Sequence, residues 1–158
     1  MQAVRRVRQR YGLPAEFWLY VAHLYPHKNH ERLLEAYRQL KRRSPRAWPL
    51  VLRGDRQLVG PDIEAIVRRL GLVEDVLVLP RLERGELPAV YSAATALVFP
   101  SLYEGAGVPV MEALACGCPV VASSIPAVRE FAGDAARYFD PLAAEGIAAL
   151  PETIPPGE

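Results

Sequence analysis

Two stretches of this sequence hold side chains of a type and spacing suited to binding a phosphorylated ligand. The first is Tyr25-Pro26-His27-Lys28-Asn29, which follows the apolar run 17–21. A lysine there stands beside the free backbone N–H groups of a following helix start, a combination that suits a phosphate. The same loop also reads as a solvated lysine followed by Asn29 as a helix N-cap. The second stretch is Ser101-Leu102-Tyr103-Glu104-Gly105-Ala106-Gly107-Val108-Pro109. Gly105 and Gly107 let backbone come close to a ligand, and Pro109 fits a first helical turn. The unpaired N–H groups of that helix start favour an anion. Glu104 precedes the glycines and Glu112 falls about one turn inside the helix. Two carboxylates therefore flank a phosphate-sized cradle, and a sugar nucleotide has hydroxyls on both sides of its diphosphate. Taken singly, Glu104 reads equally as a surface acid favoured by the helix dipole, and Glu112 as an exposed helix residue.

The elements that must position these residues follow from periodicity. Short apolar runs at 17–21, 50–52, 76–79, 95–99 and 120–122 read as strands, with 138–139 as a last edge strand. Between them lie helical patterns. Leu33, Leu34, Tyr37 and Leu40 mark one, and Ile63, Ile66, Val67 and Leu70 mark another that stops at Gly71. Further helices are expected over 87–94, with Pro88 in the first turn, over 108–116, and over 126–131. Strands that are short, apolar on both faces and separated by helices predict a doubly wound, Rossmann-like parallel sheet of the α/β class. Ligands of such sheets bind beyond the carboxyl ends of the strands, which is where both loops fall.

Composition narrows the function. The chain has 158 residues, 51% of them hydrophobic, so it has the material for one globular domain with a real core. Nineteen basic side chains against eighteen acidic ones give a net charge of +1, which argues against broad nucleic-acid binding and makes any anion site local. No apolar run reaches the length of a membrane span, and no signal peptide is visible. Cys116 and Cys118 are too close for an easy disulfide and too few for a metal site, so a reduced, cytoplasmic protein is expected. Both cysteines, with Met111 and Leu114, read as core residues. His27 and His30 lack further ligands and read as surface groups. Residues 1–16 read as a linker or helical remnant, 17–150 as the ligand-binding domain, and the proline-rich 151–158 as a truncated tail.

The run PSLYEGAGVPVMEALACGCPVVAS, with Glu104 and Glu112 separated by seven residues, resembles the signature of retaining family 4 glycosyltransferases of the GT-B fold. The resemblance continues through YPHKNHERLLEAY, LGLVEDVLVLPRL, LPAVYSAATALVFPS and GDAARYFDP. It implies that the chain is the carboxyl-terminal, donor-binding half of such an enzyme. By position, Glu104 matches the glutamate that holds donor-sugar hydroxyls, and Glu112 the one that holds the ribose. Gly105, Ala106, Gly107 and Val108 match the loop whose backbone approaches sugar and diphosphate. Lys28 matches the lysine that pairs with the diphosphate, and with Glu104 it is placed nearest the reaction. Pro80, Arg81 and Leu82 match the strip that meets the base. Two departures stand out. Ala22-His23 replaces a frequent Gly-Arg, so His23 is expected to donate to phosphate in the arginine's place, with Arg53 as a compensating cation. Ala106 replaces a frequent aromatic.

The implied reaction moves a sugar from a nucleotide diphosphate sugar to an acceptor, with no cofactor. No Asp-x-Asp motif occurs, so no metal is expected. GDP-mannose is the favoured donor, on the likeness of the His-Lys-Asn loop to mannosyl and deoxyhexosyl transferases. No acceptor domain precedes the matching residues. The expected partner is therefore a missing amino-terminal acceptor domain, which also offers a route to the inner membrane surface. The fragment alone is expected to be inactive. Two other readings remain: a stand-alone nucleotide-sugar-binding module, and a flavodoxin-like receiver. A receiver wants acidic residues after its first strand, where this chain is basic.

Overall fold

The computed structural model describes residues 1–55 and 60–143, so the expected tail at 151–158 and the last residues of the 17–150 domain lie outside it. Six strands form one parallel sheet: β1 (Trp18–Val21), β2 (Leu50–Arg53), β3 (Val76–Val78), β4 (Ala96–Phe99), β5 (Val120–Ser123) and β6 (Ala136–Phe139). Their order is β3-β2-β1-β4-β5-β6, with every neighbouring pair parallel. This is the dinucleotide-fold order of the doubly wound class, and it differs from the 2-1-3-4-5 order of flavodoxin-like receivers. The chain leaves β1 towards one edge and returns through β4 on its other side. The loops after β1 and β4 therefore lie side by side at the carboxyl end of the sheet, where the strand order reverses.

The expected helices form between the strands: α2 (His30–Arg43), α3 (Ile63–Leu70), α4 (Leu87–Ala93), α5 (Val108–Ala115) and α6 (Pro126–Ala132). Asp62 caps α3 by accepting from the Ala65 N–H at 3.0 Å, and Gly71 ends it at φ 70, a conformation that favours glycine. Strands β4 and β5 are buried at every position, and the core runs through Trp18, Tyr20, Leu34, Leu50, Leu97 and Phe99. The apolar period of each helix is thus explained by the sheet face it covers.

Residues 2–11 form a further helix, α1 (Gln2–Tyr11), ended by Gly12 at φ 63. It packs on α4, with Val7 fully buried. Arg8 donates to the Ala93 carbonyl at 2.7 Å. The buried carboxylate of Glu86 accepts from the Tyr11 hydroxyl, from Arg10 Nη1 at 3.3 Å and from the Glu83 N–H at 3.1 Å. Four core expectations from the sequence come out unevenly. Cys118 is buried, whereas Cys116 and Leu114 are half-buried and Met111 sits at the same intermediate level. Helix α5 closes the sheet with Val110 and Ala113, so the residues flanking that stripe face its rim.

Candidate functional site

The first loop begins where β1 ends. A 3-10 turn, Pro26–Lys28, carries the lysine at the carboxyl end of the sheet, and Asn29 follows at φ 64. Asn29 stands at the start of α2, but its side chain makes no cap there. Its Nδ2 instead donates to the Pro100 carbonyl at 2.9 Å and the Pro141 carbonyl at 3.2 Å. The Leu102 N–H donates to the His27 carbonyl at 2.9 Å. The buried Ser101 hydroxyl lies 3.2 Å from the Tyr103 carbonyl, and the Tyr20 hydroxyl donates to the Lys28 carbonyl at 2.6 Å. The two loops are thereby stitched together through backbone atoms.

This stitching brings Lys28 and Glu104 into contact, with Nζ donating to Oε1 at 2.5 Å. Tyr20 beneath them is fully buried; burial first, and the Glu104 charge second, hold its phenol well above the usual range. Gly107 stands at φ 62 as the residue before α5 and is itself buried. A Cβ there would meet Val128 Cγ2 at 3.4 Å, so its conformation more than its crowding favours glycine. A Cβ on Gly105 would meet nothing within 4 Å, and Ala106 and Val108 continue this open edge.

Beside the pair lies a cleft of about 330 Å³. Its walls come from Ala22 and His23 after β1, Arg53, Gly54 and Asp55 after β2, and Val108, Pro109 and Glu112 on α5. Glu112 Oε2 accepts from the Tyr91 hydroxyl at 2.9 Å. Burial first, then the Glu112 charge, keep Tyr91 protonated far above the ordinary phenol range, so it acts as a fixed donor. A smaller cavity of about 210 Å³ shares Arg53, Gly54 and Asp55 and adds Pro80 and Arg81, with His30 and Ile63 among its walls. Gly54 is obligatory between the two: a Cβ would fall 1.8 Å from the Ala22 carbonyl oxygen.

The sequence-expected residues therefore divide. His23, Arg53, Val108 and Glu112 share one cleft, Arg53 and Arg81 the other, and Lys28 and Glu104 pair at the neighbouring loop junction. Leu82 is half-buried against the core and lines neither cavity. Arg53, expected as a compensating cation, is already engaged: its Nη1 lies 3.1 Å from Asp55 Oδ1. Arg53 is the main reason the Asp55 carboxyl is held below its usual range, with His23 and Arg81 adding to it.

His30 is a correction. Expected on the surface, it is 3% exposed, its ring lies tilted against that of Tyr20 with centroids 4.7 Å apart, and its Nδ1 has no hydrogen-bond partner among the described residues. Burial, and secondarily the Lys28 charge, lower its pKa to about 4, so it is neutral at pH 7. The signal was present: His30 opens the stripe Leu33, Leu34, Tyr37 at helical spacing, which points it at the sheet. Asn29 and Asp55 were also missed as site residues, because their roles depend on backbone atoms distant in sequence. Among the described residues, no group of three or more His, Cys, Asp and Glu side chains is arranged to hold a metal, and no helix is long and apolar enough to cross a membrane.

The site yields one prediction directly. Glu112→Ala is expected to leave the fold intact, as read by circular dichroism, and to abolish preference for a ribonucleotide diphosphate over its 2′-deoxy counterpart. A lost hydroxyl–carboxylate bond is worth about 1.5–3 kcal/mol, and calorimetry with the two nucleotides reads it. Identical selectivity in wild type and variant contradicts the ribose assignment.

Comparison with known proteins identifies the family of the chain. Residues 5–150 match the family "Glycosyl transferases group 1". The chain is 37% identical over 153 residues to O-antigen chain mannosyltransferase B of Escherichia coli, covering 90% of this chain and 38% of that protein. It is 34% identical over 128 residues to a GDP-mannose-dependent alpha-(1-6)-phosphatidylinositol monomannoside mannosyltransferase of Mycolicibacterium smegmatis, covering 74% and 32%. Among solved structures it superposes on sucrose-phosphate synthase from Thermosynechococcus elongatus with a TM-score of 0.77 and 29% identity, covering 92% of this chain and 38% of that one. The chain thus spans less than two fifths of the length of each of these three proteins. With its doubly wound sheet forming one half of a GT-B fold, the chain belongs to the group 1 glycosyl transferases.

Proposed function

We infer that this chain binds a nucleotide diphosphate sugar across the crevice between the β1 and β4 loops. In that role it is the donor half of a retaining, metal-independent glycosyltransferase, with GDP-mannose as donor. The observation that carries this is the convergence of Lys28, Glu104 and the start of α5 at the point where the strand order reverses. The adjoining cleft, with Glu112 on its wall, takes the ribose. The strip Pro80–Arg81, on the neighbouring cavity, takes the base. The mannosyl donor is supported by the names of the relatives, two of which are mannosyltransferases.

The chemistry follows from charge. Breaking the bond between the anomeric carbon and the diphosphate oxygen builds negative charge on the leaving phosphate. A lysine ammonium and helix N–H groups already in place stabilise that charge without reorganising. His23, on the cleft wall, donates a further hydrogen bond to phosphate. Glu104 accepts from sugar hydroxyls and so orients the donor; no nucleophilic role is assigned to it. The acceptor hydroxyl comes from a separate amino-terminal domain that closes the crevice.

Calorimetric titration with GDP-mannose tests this reading. Binding is expected to be the same with and without EDTA and to weaken as salt is raised, because the phosphate contact is ionic. Binding that disappears with EDTA contradicts the metal-independent site, and no binding under any condition contradicts the donor role.

A further inference from the structure

The Lys28–Glu104 pair joins two side chains that act on different parts of one ligand, the ammonium on the diphosphate and the carboxylate on the sugar. In the free chain these groups are 2.5 Å apart, with side-chain exposures of 15% and 9%. Charges so far from water are held chiefly by each other, and withdrawing one leaves the other uncompensated. Their loops are tied together by Asn29 on Pro100 and Leu102 on His27, so the separation of the two backbones is set. Glu104 is therefore a built-in competitor of the diphosphate for Lys28.

The two ligand forms meet this competitor differently. A bare nucleotide diphosphate draws the ammonium to its terminal phosphate and sets a second anion beside Glu104, with no donor for the carboxylate. Like charges in a partly dry site repel strongly. A sugar-bearing diphosphate draws Lys28 away in the same manner but returns hydroxyl donors to Glu104. We propose that the Lys28–Glu104 ion pair is a selectivity device, which favours the nucleotide sugar over the bare nucleotide diphosphate that transfer leaves behind. It rests on the nucleotide-sugar reading above, and its consequence is product release: once the sugar has gone, Glu104 reclaims Lys28.

The test is calorimetry of GDP and GDP-mannose on the wild-type chain, Glu104→Gln and Glu104→Ala. Both variants free Lys28, so GDP is expected to bind each of them about tenfold more tightly than wild type, equivalent to about 1.4 kcal/mol. GDP-mannose gains less in Glu104→Gln, whose amide still accepts a hydroxyl, and weakens in Glu104→Ala, which offers no acceptor. The preference for the sugar-bearing form therefore shrinks in both. Either variant alone decides the matter if a circular dichroism melt shows the other unfolded. GDP binding that is no tighter in the variants, with the wild-type preference unchanged, overturns the device while leaving nucleotide-sugar binding in place. Failure of wild type to bind either ligand overturns the donor reading, and the device with it.

Discussion

Lys28→Ala is expected to weaken binding of a nucleotide diphosphate by roughly tenfold to a hundredfold and to leave binding of the corresponding nucleoside unchanged. The lysine reaches the crevice from the turn after β1, where its ammonium pairs with Glu104. A hydrogen bond between an ammonium and a phosphate oxygen is charge-assisted, and such bonds are worth about 1.5–3 kcal/mol. The nucleoside has no phosphate and loses nothing. The variant also leaves Glu104 without its cation, so the field at the phosphate site is more negative than in the wild type. Calorimetry with GDP and guanosine measures both arms. Equal losses for the two ligands contradict the phosphate role and return Lys28 to the solvated alternative.

The second large effect concerns catalysis. The 158-residue chain is expected to bind a nucleotide sugar without transferring the sugar at an enzymatic rate. Lys28 and the start of α5 are proposed to stabilise the leaving group, but the described residues form one sheet that supplies one half of a GT-B fold. Holding an acceptor hydroxyl against the anomeric carbon supplies roughly 7–11 kcal/mol of barrier lowering. An open half-site also leaves the diphosphate wet, where each ionic contact is weaker. Slow hydrolysis of the donor needs no acceptor site and is expected to remain. Labelled GDP-mannose and a panel of acceptors, with and without a matching amino-terminal domain, provide the measurement. Fast transfer by this chain alone contradicts the half-site reading, and activity that depends on the added domain supports it.

The fold was legible because its strands and the helices between them announce themselves locally. The run 17–21 is apolar on both faces, Leu33 to Leu40 keep helical spacing, and Gly71 and Gly117 stand where helices must stop. Strand order is a global property, but alternation of strands and helices already restricts it to the doubly wound class. The candidate site was legible in part. Residues in the glycine loop could be placed because Glu104, Gly107 and Glu112 lie on one continuous segment whose helix start defines their geometry. Contacts between segments could not. That Asn29 would ignore the helix it precedes and bond to Pro100 depends on β4 lying beside β1. That Arg53 would be engaged by Asp55 depends on how the chain turns after β2. His30 was misplaced for another reason: a polar residue was taken as exposed although its spacing put it on the buried face, and helical position outweighed polarity.

A crystal structure of the chain grown with GDP is expected to show the diphosphate at the crevice where the strand order reverses, with Lys28 Nζ drawn from Glu104 onto a phosphate oxygen, N–H groups at the start of α5 on the same group, and the ribose hydroxyls on Glu112. A nucleotide bound elsewhere on the chain, or one seated in the crevice with Lys28 still paired to Glu104 and its phosphates in solvent, contradicts the donor reading.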